Sequence, residues 1–264
     1  MRNHGTRTEL VQLRPHDHLG WFYSGEAEFT ALATSFLAEG AVRGELLMYV
    51  SESPDVDGPL ATFIGSVDPG HLQVASIAEV YGTSGFVDPV DQRATFAAVL
   101  TDALRDGFPG IRVAADNTSL VIDPDRRARW MHWEMVADDF MSQNPVTGLC
   151  AFDRDRVDVD VLRHLSTLHP LSPVENPVPQ FRVFVDEGTL WIEGDVNAMA
   201  VDQAMTALER MPWMTDVVVD LTATSFVTES LKARLSMLSA TDVNVAVLEG
   251  SMDLPTEPEA GVTP

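Results

Sequence analysis

Apolar and polar positions alternate along the first two thirds of the chain in a way that predicts strands and helices in turn. Short apolar runs at 46–51 and 111–115 match strands, because they end at polar turns and are too brief for buried helices. Between them, the sequence VDPVDQ places Asp88 as a helix N-cap and Pro89 at the first helical position. Strands that alternate with helices predict an α/β fold with a mostly parallel sheet covered by helices.

The alternating pattern breaks at 170–180, PLSPVENPVPQ, where repeated prolines favour an extended linker. We therefore predict a first domain over 16–169, preceded by an N-terminal tail at 1–15. Beyond the linker, the order strand, strand, helix, strand, helix, strand predicts a smaller α/β domain over 181–249. The acidic, proline-containing segment 250–264 is expected to be disordered.

Composition and charge exclude several classes of function. The 264 residues are 45% hydrophobic, which is enough for one large domain or, as the sequence pattern favours, two modest domains with their own cores. The net charge of −23 repels a phosphate backbone, so we predict no direct binding to nucleic acid. No run approaches the roughly 18 apolar residues of a membrane span, and MRNHGTRTELVQLRP lacks the apolar segment of a signal peptide. We expect a cytoplasmic protein that does not bind membranes.

Several segments of the first domain carry a family resemblance. They are HLGWFY at 18–23, FLAEGAVRGELLMYV at 36–50, IRVAAD at 111–116, the segment 133–156, and the closing His169 and Pro170. Their order and spacing resemble the MEDS domain, or DcmR-like sensory domain, which is proposed to sense small molecules in bacterial and archaeal regulators. The resemblance implies a RecA/KaiC-like fold and a sensory role.

The segment 216–235, DVVVDLTATSFVTESLKARL, combines a β-branched strand, a polar turn and a helix start. It resembles the core of a STAS domain, the anti-sigma factor antagonist fold. The positions that match the family are Asp220, Leu221, Phe226 and Ser230. Thr228 and Glu229 stand where the family has an aspartate and a phosphorylatable serine.

The STAS resemblance implies a partner and a switch. The partner would be an anti-sigma factor kinase or a related regulatory protein, and the switch positions would be Asp220, Thr228, Glu229 and Ser230. The permanent charge of Glu229 at the position of the phosphorylatable serine predicts a domain that resembles the phosphorylated form at all times and is not controlled by the kinase. Because the family's last elements are missing, the sheet is expected to expose an edge or an apolar face that a partner or a second copy of the chain covers.

A ligand-binding pocket is predicted in the first domain. Ligands of open α/β sheets bind beyond the carboxyl ends of the strands, and Tyr23, Asp116 and Asp153 all map to that edge. Trp133 and Glu134 add an aromatic wall and one acid from a helix. The predicted pocket for a small molecule is lined by His18, Tyr23, Asp116, Trp133 and Glu134.

An acidic turn argues against nucleotide binding. The first strand-to-helix turn is YSGEAEF, in which Glu26 and Glu28 favour the helix dipole but repel a triphosphate, and no lysine precedes Lys232. We find no catalytic constellation, so we predict no enzyme activity and no cofactor. A nucleotide-binding switch or weak ATPase with a degenerate P-loop is the alternative, and an assembly scaffold is a third.

The histidines and the cysteine allow a metal or a packing interpretation. His16 and His18 lie two positions apart and could begin a metal site, but no pair with known metal-ligand spacing accompanies them. We therefore predict no metal, and a capping or pocket-wall role for His18. The single cysteine, Cys150, is predicted to be a small buried hydrophobe, and His169 to be a surface or linker-contact residue.

Overall fold

A computed structural model describes residues 2–54, 58–174 and 178–249 of the chain. The predicted disordered segment 250–264 lies outside the described residues, as do positions 175–177 of the predicted linker. The described parts contain one larger parallel sheet and one smaller mixed sheet, each covered by helices, which confirms the α/β class.

The larger sheet consists of seven strands, all paired in parallel. They are β1 (Gly5–Arg7), β2 (His18–Tyr23), β3 (Leu46–Ser51), β4 (Leu72–Ser76), β5 (Ile111–Asp116), β6 (Val146–Asp153) and β7 (Leu171–Pro173). Their order across the sheet is β1-β7-β2-β6-β5-β3-β4. Because all strands point the same way, their carboxyl ends form one edge of the sheet.

Helices cover both faces of the larger sheet. They are α1 (Gly25–Arg43), α2 (Gly58–Ile64), α3 (Ile77–Tyr81), α4 (Pro89–Arg105), α5 (Thr118–Ile122), α6 (Pro124–Gln143) and α7 (Val159–Thr167). Helices α1 and α2 pack on one face, and α3 to α7 supply the core of the other. The predicted start of α4 is confirmed, since the Asp88 carboxylate accepts the N–H groups of Val90 and Asp91.

The smaller sheet has the predicted element order. Its strands are β8 (Phe181–Asp186), β9 (Thr189–Gly194), β10 (Asp216–Asp220) and β11 (Asn244–Leu248), with helices α8 (Ala198–Arg210) and α9 (Glu229–Leu238). The order is β11-β10-β9-β8, and only β8 and β9 are antiparallel. On edge strand β11, Val247 and Leu248 are exposed, in line with the expected open edge. The STAS relationship of this unit stays a prediction.

Two boundary predictions are wrong. Residues 5–7, predicted as tail, form β1, and residues 171–173, predicted as linker, form β7. The two pair in parallel with Gly5 opposite Leu171 at the edge of the larger sheet. Prolines did not prevent this, because they lie at the two ends of β7: Pro170 only accepts a bond, from the Gly5 N–H, and Val174, after Pro173, donates the next one to the Arg7 carbonyl.

The two units share one hydrophobic core. Helix α6 contacts the larger sheet and also packs against β8, and buried side chains from both units form one continuous cluster. The N-terminal segment joins the same interface, because the N–H of Arg2 donates to Asp186 at the end of β8. No helix in the described parts of the chain has the length and apolar character needed to cross a bilayer.

Candidate functional site

An open cleft of about 240 Å³ lies at the carboxyl edge of the larger sheet. Tyr23, Ser51, Asp116 and Asp153 are the last residues of β2, β3, β5 and β6, and all of them line it. The prediction that Tyr23, Asp116 and Asp153 meet at this edge is therefore confirmed as geometry. It holds because parallel strands place their ends side by side.

Thr118 fixes the polar groups at the back of the cleft. Its hydroxyl donates to Asp116 Oδ1 at 2.6 Å and accepts the N–H of Asp153 at 2.8 Å. The Tyr23 hydroxyl lies 3.3 Å from the Thr118 hydroxyl oxygen. Burial, followed by the charge of Asp116, raises the pKa of Tyr23. The phenol therefore stays protonated and is available as a hydrogen-bond donor.

Negative charge dominates the cleft. Its acids are Glu26, Glu52, Asp116 and Asp153. The one basic residue among the lining groups, Arg156, pairs with Glu52 at 3.2 Å. This charge distribution favours a cationic or hydroxyl-bearing ligand and disfavours a phosphate. The start of α1 also disfavours a phosphate, because the Glu28 carboxylate already accepts the Ser24 N–H at 2.7 Å.

A second polar cluster lies inside the other face of the sheet. His18 of β2, Cys150 of β6, Glu134 of α6 and His169, which follows α7, form this cluster, which we call the buried quartet. Their potential ligand atoms all lie within 4.8 Å of one another. His18, Glu134 and His169 are 0% exposed and Cys150 is 8% exposed.

Four measured distances define the quartet. Glu134 Oε2 lies 3.4 Å from His18 Nε2 and 3.4 Å from His169 Nε2. Cys150 Sγ lies 3.4 Å from His18 Nε2 and 3.6 Å from Glu134 Oε2. Neither His169 Nε2 nor Glu134 Oε1 has a hydrogen-bond partner. Four electron-pair donors therefore converge on one point in a site closed to solvent.

Hydrogen bonds outside the quartet orient both imidazoles. His18 Nδ1 donates to Asp138 Oδ1 at 2.9 Å, and His169 Nδ1 donates to the Leu165 carbonyl at 2.8 Å. Because each Nδ1 carries its proton outward, each Nε2 presents its lone pair to the centre. A carboxylate and a backbone carbonyl are the groups that commonly orient metal-binding histidines.

One glycine makes room for a histidine ring. A Cβ on Gly20 of β2 would lie 2.6 Å from His169 Nδ1, so a side chain there would displace the buried His169 ring. On β6, a Cβ on Gly148 would lie 2.7 Å from Met141 Cε but in ordinary contact, 3.6 Å, with His18 Cδ2. Gly20 therefore leaves space for His169, and Gly148 leaves space for Met141 beside His18.

The charges of the quartet support each other. Burial alone would raise the pKa of Glu134, but His169 and His18 outweigh it and lower that pKa. Burial would lower the pKa of His169, whereas Glu134 raises it, with a net value of about 9. For His18, burial is outweighed by Cys150, Asp138 and Glu134, and the pKa is raised. When no metal cation is bound, the raised histidine pKa values mean that protons are shared among the four side chains of the quartet.

The five predicted ligand-binding residues do not form one pocket. Tyr23 and Asp116 line the cleft, whereas His18 and Glu134 belong to the buried quartet. Trp133 is in neither, because it stacks on Phe96 at 5.7 Å between ring centroids and is 3% exposed. The reason is strand periodicity: His18 and Tyr23 are five positions apart and so point to opposite faces of β2.

Two further expectations need correction, for His169 and Cys150, and one alternative finds no support. That alternative was a metal site begun by His16 and His18; His16 instead has a left-handed backbone (φ 80°) and donates its Nδ1–H to the Met141 carbonyl. His169, predicted at the surface or linker, is fully buried. Cys150 is buried as predicted, but beside polar groups rather than only apolar ones.

The predicted switch positions lie at the carboxyl end of β10 and the start of α9. Thr228 caps α9, since its hydroxyl accepts the Leu231 N–H at 3.1 Å. The Glu229 side chain is 88% exposed and pairs with Lys232 at 2.7 Å. Ser230 is exposed, and Asp220 accepts the Thr222 N–H at 2.9 Å. Thr228, Glu229 and Ser230 are exposed and Asp220 is half-buried, and the four lie near one another in the chain.

Comparison with known proteins gives one family match. No curated protein matches the chain. A solved structure, EssC (ATPases 2 and 3) from Geobacillus thermodenitrificans, is 12% identical with a TM-score of 0.34, over 84% of this chain and 50% of that chain. The chain thus spans about half the length of that structure, and so weak a likeness supports no conclusion.

The family model of the MEDS domain, described as MEthanogen/methylotroph, DcmR Sensory domain, matches residues 17–170. This match covers more than half of the chain and includes the cleft and the buried quartet, and the protein therefore belongs to the MEDS family.

Proposed function

We propose that the protein is a non-enzymatic signalling regulator. Its MEDS unit binds a small molecule at the carboxyl-edge cleft, and its C-terminal unit conveys the bound state to a protein partner. The observation that carries this proposal is the placement of helix α6, which packs on the sensory sheet with Trp133 and Glu134 and contacts β8 of the second unit. A change at the sensory sheet that moves α6 would therefore also move the second unit.

The chemistry of the cleft defines the ligand class. Its carboxylates and its protonated Tyr23 suit a small cation or a molecule rich in hydroxyl groups. A cleft of about 240 Å³ has room for a small molecule of at least the size of a compact ring.

The ligand proposal is tested with three probes of similar size: a short diamine, a polyol and a dicarboxylate. Calorimetric titration should detect binding of the diamine or the polyol and none of the dicarboxylate. Asp116→Asn should weaken binding, because its carboxylate lines the cleft, whereas Asp102→Asn on the exposed side of α4 should not. Preferential binding of the dicarboxylate would contradict the proposed ligand class.

A nucleotide switch is the less favoured alternative. Glu26 and Glu28 lie in the first turn of α1, and Glu28 already accepts the Ser24 N–H where a phosphate would bind. We expect no binding of ATP with magnesium in a calorimetric titration at micromolar protein. Tight ATP binding would replace the proposed ligand class with this alternative.

The finer proposal concerns the partner. By its resemblance to a STAS domain, the C-terminal unit would bind an anti-sigma factor kinase and so tune sigma-factor-dependent transcription. The exposed α9 start, with Thr228, Glu229 and Ser230, is the surface proposed for this contact. A scaffold that only assembles partners is the alternative, and it would bind without dependence on Glu229.

The partner proposal is tested with the candidate kinase encoded nearest to this chain. Glu229→Ser should strengthen binding, because it removes a charge that resembles a phosphate, and kinase with ATP should then reverse the gain. The unaltered chain should gain no phosphate by intact-mass measurement. A phosphate mapped to Thr228 or Ser230 of the unaltered chain would contradict kinase independence.

A further inference from the structure

We propose that His18, Glu134, Cys150 and His169 form a binding site for one divalent transition-metal ion, and that zinc fits it best. The site is separate from the carboxyl-edge cleft, so this inference does not depend on the ligand proposed there. It stands on distances, donor chemistry, orientation and charge.

The distances match a tetrahedral zinc site. Zinc bonds of about 2.0–2.1 Å to nitrogen or oxygen and 2.3 Å to sulfur place the ligand atoms of a tetrahedron roughly 3.3–3.6 Å apart. The measured separations are 3.4 Å for each Glu134–histidine pair and 3.4 Å for Cys150 to His18. The Cys150 to Glu134 separation is 3.6 Å. Four of the six donor separations therefore have the spacing that a zinc ion requires, and all six lie within 4.8 Å.

The donor set also fits the ion. Two imidazole nitrogens, a thiolate and a carboxylate are ligands that zinc accepts together, whereas calcium and magnesium prefer oxygen alone. Both histidines use Nδ1 for outward hydrogen bonds and keep Nε2 for the centre. His169 Nε2 has the Glu134 Oε2 contact at 3.4 Å but no hydrogen bond, and Glu134 Oε1 has no hydrogen-bond partner. Burying such groups is costly unless a cation satisfies them.

Charge balance favours a metal over an empty cluster. A carboxylate and a thiolate together carry two negative charges, which a divalent ion neutralises inside a region closed to water. The nearby Asp138 is paired with Arg2, so it does not add an uncompensated charge. Protons shared between the same donors are the competing occupant.

The position of the quartet indicates what the ion does. Its ligands come from β2, β6, α6 and the chain that leads into β7, so one ion joins the sheet, its covering helix and the connection to the second unit. All four coordination positions are filled by protein, which is typical of structural rather than catalytic zinc. The ion would fix α6, the helix that contacts both sheets.

The test uses the full chain. The protein is stripped with a chelator, reconstituted with zinc or cobalt, separated from free metal, and measured for metal content and absorption. We expect one zinc per chain, and a cobalt–thiolate charge-transfer band in the near ultraviolet. Because Cys150 is the single cysteine, that band identifies its ligand without any variant.

Variants assign the remaining ligands. His169→Asn should weaken zinc binding by more than about tenfold, and Cys150→Ser should abolish the thiolate band. His71→Asn is the matched control, since His71 packs edge-on against Phe108 outside the quartet and should bind zinc as the unaltered chain does. Another transition ion at one per chain with a thiolate band would also support the site. Loss of all metal on separation, or bound cobalt without the thiolate band, would overturn it.

Discussion

The Asp138 carboxylate accepts the backbone N–H of Val185 at 2.6 Å through Oδ2. Its other oxygen accepts the Nδ1–H of His18 at 2.9 Å and pairs with Arg2. Asp138 lies on α6, His18 on the larger sheet and Val185 on the smaller sheet. One buried carboxylate therefore connects the sensory sheet, the second unit and the N-terminal segment.

We expect Asp138→Asn to destabilise the fold by about 3 kcal/mol, because it removes one partner from a buried charge pair. Arg2 would lose its counter-ion and His18 the acceptor that orients its ring. Urea unfolding measures the change. Asp160→Asn, which removes an exposed pair with Arg163, should cost less than about 0.5 kcal/mol. Equal losses in the two variants would show that Asp138 does not hold the units together.

Zinc should stabilise the whole chain if the buried quartet binds it. At free zinc about one hundred times the dissociation constant, linkage gives roughly 2.7 kcal/mol of added stability. Thermal unfolding of stripped and reconstituted protein measures this difference. The gain should vanish in Cys150→Ser and persist in His71→Asn. A gain that survives the loss of Cys150 would assign the stabilisation to another site.

The sequence predicted the parts of the fold that follow from local chemistry. Asp88 and Pro89 marked the start of α4 because a side-chain cap and a fixed φ act within one turn. Tyr23 and Asp116 were placed at one edge because parallel strands end together. These rules need no knowledge of distant contacts.

The buried quartet could not be predicted in the same way. Its residues are separated by 16 positions (Glu134 to Cys150) to 151 positions (His18 to His169) and follow no metal-ligand spacing, so only the assembled fold brings them together. The burial of His169 depends on Gly20, which leaves space on a different strand. Strand β7 was missed because three residues carry no measurable periodicity.

A buried ion pair under α1 gives a prediction on stability. Arg112 of β5 is fully buried, donates its Nε–H to Glu45 at 2.5 Å and lies over the Phe36 ring. Arg112→Met should cost about 3 kcal/mol or more, because it leaves the Glu45 carboxylate buried without its partner.

Two comparisons test the cause of that loss. Arg105→Met at the exposed end of α4 should change the urea midpoint little. The double change Arg112→Met with Glu45→Met should recover part of the loss, because no unpaired charge is left behind. A double variant less stable than Arg112→Met alone would argue for a packing effect instead.

His4 gives a pH-dependent contribution. Its hydrogen bond to Glu193 raises its pKa against the effect of burial, and Asp186 adds to this while Arg182 opposes it. A histidine whose pKa is raised in the folded state stabilises the fold fully at pH values below its unfolded pKa of about 6.5. That stabilisation is lost as the pH rises through the folded-state pKa. Because His4 is partly exposed, the contribution should stay below about 1 kcal/mol.

The measurement compares unfolding free energies of the unaltered chain and His4→Gln. The difference should be larger near about pH 5.5 than near about pH 8.5, because a larger fraction of His4 is protonated at the lower pH and the protonated ring is the form that Glu193 stabilises. Other titrating groups affect both proteins alike and cancel. Glu193→Gln should remove the same dependence. A difference that grows with pH would reverse the sign argued here.

Substitutions at Thr228 and at Glu229 should distinguish an effect on the stability of α9 from an effect on partner binding. Thr228→Ala should destabilise by about 1 kcal/mol, because the Leu231 N–H loses its cap. Glu229→Ala should cost less than about 0.5 kcal/mol, since its pair with Lys232 is exposed. Urea unfolding followed by circular dichroism measures both. With stability nearly unchanged in Glu229→Ala, any change in its partner affinity would come from the lost charge at the contact surface. A large loss of stability in that variant would instead assign Glu229 to the fold.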